Sequence, residues 1–395
     1  MGNFDEVIDR RNTNSVKWDM LNAVFGSEDV LPMWVADMDF KAPQAVNEAL
    51  KERIEHGVYG YTIPDDDFKR SIKHWVETRH QWTIDPEWLT FSSGVVTSLH
   101  MAVKAFTVPG DGILIQTPVY PPFYSSIRMH DREIVKNPLR YEDKYYTIDF
   151  DDFAEKLKNV KAFILCSPHN PVGRVWKKDE LEKMAQLCLE HDVVIISDEI
   201  HADLIFPGQK HIPIASLSKE IADRTITCMA PSKTFNIPGL AASYCLTPNQ
   251  EKRKLLETAF HKSGSHNTLN TMGQIAMEAA YTYGADWVDE LTVLLESHYH
   301  YVRESFAKYA PELKVVDSEG TYLLWIDCSE LKMDPKELKE FFTKEAKVGL
   351  NAGLDYGEEA GQFMRMNIGC PRTTLEEGVR SEEHTSELQS PDLIS

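Results

Sequence analysis

The chain has 395 residues, 42% of them hydrophobic and 26% charged, the balance of an ordinary folded protein with room for two domains or for one large domain and a smaller companion. Its formal net charge of −20 argues against nucleic acid or an anionic membrane as partner, because both call for concentrated positive charge, so any bound anion must be held by a local site. No apolar run approaches the roughly 18 residues needed to cross a bilayer, and the polar amino terminus MGNFDEVIDRRNTNS has no signal-peptide core, which predicts a cytoplasmic protein.

The first 48 residues are too short to fold alone and are expected to join residues 286–379 as a small α+β domain beside a large domain over 49–285. Within the large part, SSGVVTSLHMAV forms a small-residue turn at Ser93 and Gly94 that leads into a helix at Val95 and Val96. Beyond it, short apolar runs alternate with amphipathic stretches: ILIQ at 113, AFILC at 162, VVIIS at 193, TITCM at 225 and SYCL at 243. Between the second and third lies KKDELEKMAQLCLEHD, with Leu181, Met184, Leu187 and Leu189 near helical spacing. The alternation predicts an α/β fold, a mostly parallel sheet wound with helices.

The six cysteines, Cys166, Cys188, Cys228, Cys245, Cys328 and Cys370, stand singly, without CxxC spacing or a metal-ligand cluster, and most sit in apolar runs as small core residues. From Arg380 onward RSEEHTSELQSPDLIS shows no helical or strand periodicity and breaks off an expected last helix. It resembles the translated read-through of a sequencing adapter, so residues 380–395 are expected to be a non-native tail.

In a wound sheet, ligands sit beyond the carboxyl ends of the strands, and the residues following each run here are rich in chemistry. Asp198 closes the apolar run VVIIS, where a buried charge needs a cationic partner: a protonated heterocycle nitrogen or a salt-bridging Arg or Lys would both serve. Lys233 in APSKTFNIPG follows TITCM between small residues, a setting for a nucleophilic amine as well as for a solvated one. Asn170 in SPHNPVG caps a turn or donates to a ligand oxygen. The helix start at Gly94, Val95 and Val96 offers free amides to a phosphate. Tyr120 in TPVYPPFY presents a ring for stacking or for the core, and Arg365 in FMRMNIGCPR a planar fork for a carboxylate or for an ion pair.

That ordered set of turn, Tyr, Asn, Asp, Lys and Arg resembles the fold-type I pyridoxal-phosphate enzymes of the class I/II aminotransferase superfamily, up to about residue 379. LPMWVADMDF at 31–40, YGYT at 59–62, SDEIHADL at 197–204 and SKTFNIPGL at 232–240 are similar to the MalY/PatB branch, the bacterial cystathionine beta-lyases or C-S lyases. The resemblance implies a mixed, mostly parallel seven-stranded sheet and pyridoxal 5'-phosphate carried by Lys233. It places Asp198 on the pyridine nitrogen, Asn170 on the ring oxygen, Tyr120 against the ring, and Ser232 with the amides of Gly94, Val95 and Val96 on the phosphate. It adds His201 to the cofactor pocket, and Ala36 and Asn170 to the substrate pocket beside Arg365; Tyr61 would reach the phosphate from the second subunit of a homodimer.

Two departures bear on the reaction. Many aminotransferases carry an Arg after the lysine to bind phosphate, where this chain reads PGLAAS, and many carry a Tyr where His201 stands, as in the lyase branch. A carbon–sulfur β-lyase releasing a thiol, pyruvate and ammonia is therefore expected. An aminotransferase using the same residues is the alternative, and a lyase with an added regulatory protein partner is a third reading.

Overall fold

The computed structural model describes residues 2–265 and 267–388. Seven strands form the main sheet: β1 (Leu89–Ser92), β2 (Gly112–Thr117), β3 (Glu133–Pro138), β4 (Ala162–Cys166), β5 (Val194–Asp198), β6 (Thr225–Met229) and β7 (Ser243–Leu246). They lie in the order β1-β7-β6-β5-β4-β2-β3, and only β7 runs against the rest. The five apolar runs read from the sequence are β2, β4, β5, β6 and β7. The other two strands escaped that reading for physical reasons. β1, reading LTFS, alternates apolar and hydroxyl residues, and β3, reading EIVKNP at the sheet edge, has a single fully buried residue, so neither carries an apolar run.

Alternate residues of the central strands face opposite layers. Ile113, Ile115, Ile164 and Ile196 meet Val95, Leu99, Ala102 and Val103 of the helix Val95–Phe106 on one side. Leu114, Phe163, Leu165 and Ile195 meet the helix Lys178–Glu190 on the other. In that second helix the buried face is Leu181, Met184, Ala185 and Cys188, an i, i+3, i+4, i+7 stripe. Leu187 and Leu189, expected on it, are only half-buried because they fall beside the stripe rather than on it. All six cysteines are buried and unbridged.

Four further strands, β8 (Lys314–Val315), β9 (Leu323–Asp327), β10 (Asn351–Ala352) and β11 (Phe363–Asn367), make a separate antiparallel sheet in the order β8-β9-β11-β10. Leu31–Pro32 pairs in parallel with Val348–Gly349, which ties the amino-terminal segment to this carboxyl-terminal part. The last helix runs Arg372–Leu388, past the point at Arg380 where the sequence pattern predicted its end. Helix propensity explains the difference: Glu, Leu and Arg are good helix formers, and a helix already nucleated over buried Leu375 and Val379 extends without an apolar stripe. Residues 389–395 of the expected tail lie outside the described residues.

A buried polar knot supports the turn that bears Lys233. The carboxylate of Asp203 accepts from the Thr234 hydroxyl at 2.8 Å and from Trp75 Nε1 at 3.1 and 3.2 Å, with His80 Nε2 at 3.0 Å. Burial by itself would raise this carboxyl, yet the His80 hydrogen bond and charge and the Thr234 bond hold it below the usual carboxylate range. Asp203→Ala strips two buried donors, Trp75 Nε1 and the Thr234 hydroxyl, of their acceptor and His80 of its carboxylate neighbour, and is expected to cost about 3–5 kcal/mol. A fall in the urea unfolding midpoint, followed by tryptophan fluorescence, checks it; an unchanged midpoint would show that the knot contributes nothing.

Candidate active site

Every strand end that carries a chemical residue opens on the same edge of the main sheet. Asp198 is the last residue of β5, Lys233 follows β6, Tyr120 follows β2, Asn170 follows β4, and Gly94 follows β1. The cavity at this edge, about 190 Å³, is lined by Ala36, Ser93, Gly94, Val95, Val96, Tyr120, Asn170, Asp198, His201, Ser232 and Lys233, together with Cys166, Ile200, Pro238, Ala241 and Ala242. It opens into a larger cleft of about 850 Å³ that reaches Arg365, Asn351, Tyr356 and the segment 34–41. Of the residues singled out in the sequence, only Tyr61 stands apart: it is fully exposed and lines neither space.

Lys233 is held in the short helix Pro231–Thr234, and its Nζ donates to the Ala36 carbonyl at 2.5 Å, where Tyr322 Oη also donates at 2.9 Å. The segment carrying Ala36 is fixed by Asn236, a non-glycine residue at φ 55°, which accepts from the Met38 amide and donates to the Met38 and Phe40 carbonyls. Burial first, and then the positive charge of Arg365, lower the Lys233 amine to about 8. Nearby Asp37 and Asp198 oppose that shift without cancelling it.

Asp198 is buried, its carboxylate accepts from the Ile200 amide at 3.2 Å, and it makes no ion pair among the described residues. Burial raises its carboxyl to about 7, with Glu199 adding to the effect. His201 is driven the other way, to about 3, by burial and by the charges of Lys233 and Arg365, so it is a neutral imidazole; its Nδ1 is buried without a partner.

Arg365 is the third unbalanced charge. It sits in β11 with 3% of its surface exposed and donates to Asn170 Oδ1 at 3.2 Å, Trp34 O at 3.0 Å and Asn351 Oδ1 at 2.8 Å. Its guanidinium stacks 5.1 Å from the Tyr356 ring centroid, and its Nε is buried and unpartnered. All of these partners are neutral, so among the described residues this buried cation has no anion. Arg372, the other arginine of FMRMNIGCPR, is engaged elsewhere, bonded to Glu376 at 2.9 Å and stacked 3.6 Å from the Tyr301 ring centroid.

The site therefore holds a lysine amine, an aspartate lacking a cation, an arginine lacking an anion, and the start of a twelve-residue helix at Val95 whose cap, Gly94, supplies no side-chain hydrogen bond. Pyridoxal phosphate matches this set: an aldehyde for the amine, a pyridine nitrogen for Asp198 and a phosphate for the open amides of Val95 and Val96, leaving Arg365 free for a substrate carboxylate. Cys166, Ile200, Trp34, Asn351 and Tyr356 were not foreseen. Asn351 and Tyr356 lie in NAGLDYG, where nothing in spacing or charge marks them, and Trp34 acts through a backbone carbonyl that any residue could supply.

An open α/β sheet with a buried lysine and aspartate at its carboxyl edge defines a fold-type I pyridoxal-phosphate enzyme. A family model described as aminotransferase class I and II matches residues 28–381, and the chain belongs to that family. It is 47% identical to cystathionine beta-lyase PatB of Bacillus subtilis (strain 168), over 96% of this chain and 98% of that protein. It is 35% identical to protein MalY of Escherichia coli (strain K12), over 96% of this chain and 97% of that protein. Among solved structures, cystalysin from Treponema denticola, which contains a pyridoxal 5'-phosphate cofactor, aligns with a TM-score of 0.96 and 38% identity, over 99% of this chain and all of that one (100%).

Because Arg365 contributes to the lowering of Lys233, Arg365→Met is expected to move the amine from about 8 back toward the ordinary 10.5. The pH dependence of acylation at Lys233 in cofactor-free protein, read by mass spectrometry, checks this; a midpoint unmoved by the substitution would remove the coupling.

Proposed function

We propose that the protein is a pyridoxal-phosphate-dependent carbon–sulfur β-lyase that cleaves cystathionine or related cysteine S-conjugates to a thiol, pyruvate and ammonia. The observation that carries this reading is the placing of the Lys233 amine between the unpaired carboxylate of Asp198 and the unpaired guanidinium of Arg365. The relatives named above support the choice of a lyase over a transferase. Bound pyridoxal phosphate supplies an electron sink for negative charge developing at the substrate's Cα.

The roles of the chain's own residues follow from their chemistry. Asp198 would pair with the pyridine nitrogen of the bound cofactor, Asn170 and neutral His201 would offer hydrogen bonds on its ring-oxygen side, and Tyr120 would offer a ring for stacking. Ser232 and the amides of Gly94, Val95 and Val96 hold the phosphate. Arg365, its fork fixed by Asn351, Asn170 and the Trp34 carbonyl, takes the substrate α-carboxylate beside Ala36 and so turns the Cα–H bond toward Lys233. Lys233, whose amine is unprotonated in useful fraction near neutrality, takes that proton. The Cβ–S bond then breaks, its electron pair leaving with sulfur, and hydrolysis of the three-carbon remainder yields pyruvate and ammonia.

On the same reading, residues 49–285 are the cofactor-bearing domain, and residues 1–48 with 286–379 the smaller one that brings Ala36 and Arg365 to it. The protein works as a homodimer in which Tyr61 completes the phosphate site of the partner. Supporting that assembly, Tyr61 lies in an exposed apolar run with Ile54, Val58, Tyr59 and Ile63, which a second copy would cover. No helix among the described residues is long and apolar enough to cross a membrane, in keeping with work in the cytoplasm.

Purified holoenzyme given L-cystathionine without any keto acid is expected to release pyruvate and homocysteine in equal amounts. Lys233→Ala is expected to lower that rate by about a thousandfold or more, since one residue serves as anchor and base. Turnover that appears only when a keto-acid acceptor is added would assign a transferase instead. For the assembly, mixing inactive Tyr61→Phe and Lys233→Ala protomers is expected to restore activity, because one site of each mixed dimer then carries neither change. Heterodimers that form yet stay as inactive as their parents would refute a shared site.

A further inference from the structure

The cleft that leads out from Lys233 has charged groups at both of its ends. Arg365 lies deep in it; at the rim, about where residues 10 and 37–41 form the wall, Arg10 and Asp37 face each other. Arg10 NH1 and NH2 donate to the two oxygens of Asp37 at 2.9 and 2.8 Å, a two-pronged pair whose side chains remain 22% and 19% exposed.

Behind that pair lies a second, closed one. Lys17 Nζ bonds Asp39 at 2.6 Å with both side chains buried, and Asp39 also accepts from Trp18 Nε1 at 3.0 Å and from Arg10 at 2.7 Å. The two pairs join in one network, since Arg10 also pairs with Asp39 and Lys17 Nζ lies 3.9 Å from Asp37 Oδ1. Asp37 stands one peptide from Ala36, whose carbonyl holds Lys233, and close enough to Lys233 to act on it electrostatically. The four charges cancel, and Arg10 and Asp37, both partly exposed, line the same cleft as the reactive amine. The other basic side chain at the rim, Lys41, is 61% exposed and already paired with Glu6.

A ligand group that is itself a neutral dipole, an ammonium beside a carboxylate, fits such a pair head to tail without adding net charge. We propose that Arg10 and Asp37 form a second amino-acid subsite, which takes the carboxylate and ammonium at the far end of a thioether substrate bearing an amino acid on each side of sulfur. The inference rests on the β-lyase reading and names its substrate class: bis-amino-acid sulfur compounds over simple S-alkyl cysteines. Two guanidiniums at opposite ends of one cleft then each take one carboxylate, Arg365 that of the half that is broken down and Arg10 that of the departing thiol.

The test compares L-cystathionine with S-ethyl-L-cysteine, which lacks the far amino acid, on the holoenzyme and on its Arg10→Met and Asp37→Asn variants. The ratio of the two KM values cancels any general damage from loosening the amino-terminal segment. It is expected to shift against cystathionine by about tenfold or more in each variant, the usual effect of losing one charge-assisted contact. A ratio that stays within about twofold of the parent in both variants overturns the subsite. Should the parent enzyme release pyruvate from neither compound, the lyase reading fails on that result. The subsite is then decided by the ratio of calorimetric dissociation constants for the same two compounds on the same three proteins, under the same criterion.

Discussion

The structure turns on a set of buried charges that the chain itself leaves unbalanced. Among the described residues Asp198 at the end of β5 has no ion-pair cation and Arg365 in β11 no anion, and the Lys233 amine lies in the same site against a backbone carbonyl. Elsewhere in the protein buried charges are closed off: Arg174 is paired with Glu180 and Glu319, Lys17 with Asp39, and His211 with Glu199. Buried charge without a partner is costly, so its concentration at one sheet edge is the mark of a site built around a ligand's charges. Burial is the leading cause of the shifts in both Lys233 and Asp198, which makes the apolar lamination of the central strands the origin of the site's reactivity.

The site also draws on two separate sheets. Asp198 and Lys233 ride on the main sheet, Arg365 and Asn351 on the four-stranded one, and the segment 34–39 lies between them. That segment is held through its backbone as well as through the Asp37 and Asp39 carboxylates, which bond Arg10 and Lys17. Asn236 grips Met38 and Phe40, Asn367 donates to the carbonyls of Val35 and Asp37 at 2.6 Å each, and Arg365 takes the carbonyl of Trp34. A displacement of the segment would shift the Ala36 carbonyl, and with it the resting position of the Lys233 amine, so the geometry of proton transfer is coupled to how the amino-terminal residues dock.

What could be read from the sequence follows the same division. The main-sheet residues were legible because each stands directly after an apolar run: Asp198 after VVIIS, Lys233 after TITCM, Asn170 after AFILC. Period and position relative to strand ends are local properties, and the wound sheet converts them into one shared edge. Trp34 was hidden because its contribution exists only after residues 331 positions apart meet; Asn351 and Tyr356, close to Arg365 in sequence, were hidden because no spacing or charge marks them in NAGLDYG. The edge strand β3 and the continuation of the last helix past Arg380 were missed for a different reason. There, pairing with a neighbouring strand and extension of an existing helix overrule a weak local pattern.

The unbalanced charges also bear on how the folded protein and its ligands depend on each other. Burial, with Glu199 adding to it, raises the Asp198 carboxyl to about 7 against the opposing charge of Lys233, and a protonated ring nitrogen beside it would restore the carboxylate. A carboxylate against Arg365 likewise satisfies a guanidinium that otherwise faces only amide and carbonyl oxygens. Each ligand charge therefore removes a penalty that the empty fold carries, and binding to the folded chain alone stabilises it in proportion to occupancy. Cofactor and substrate act on neighbouring members of one charge set, because Lys233 responds to both Arg365 and Asp198. Neutralising Arg365 would raise the affinity of Lys233 for a proton, because the Arg365 charge is one of the causes that lower that amine.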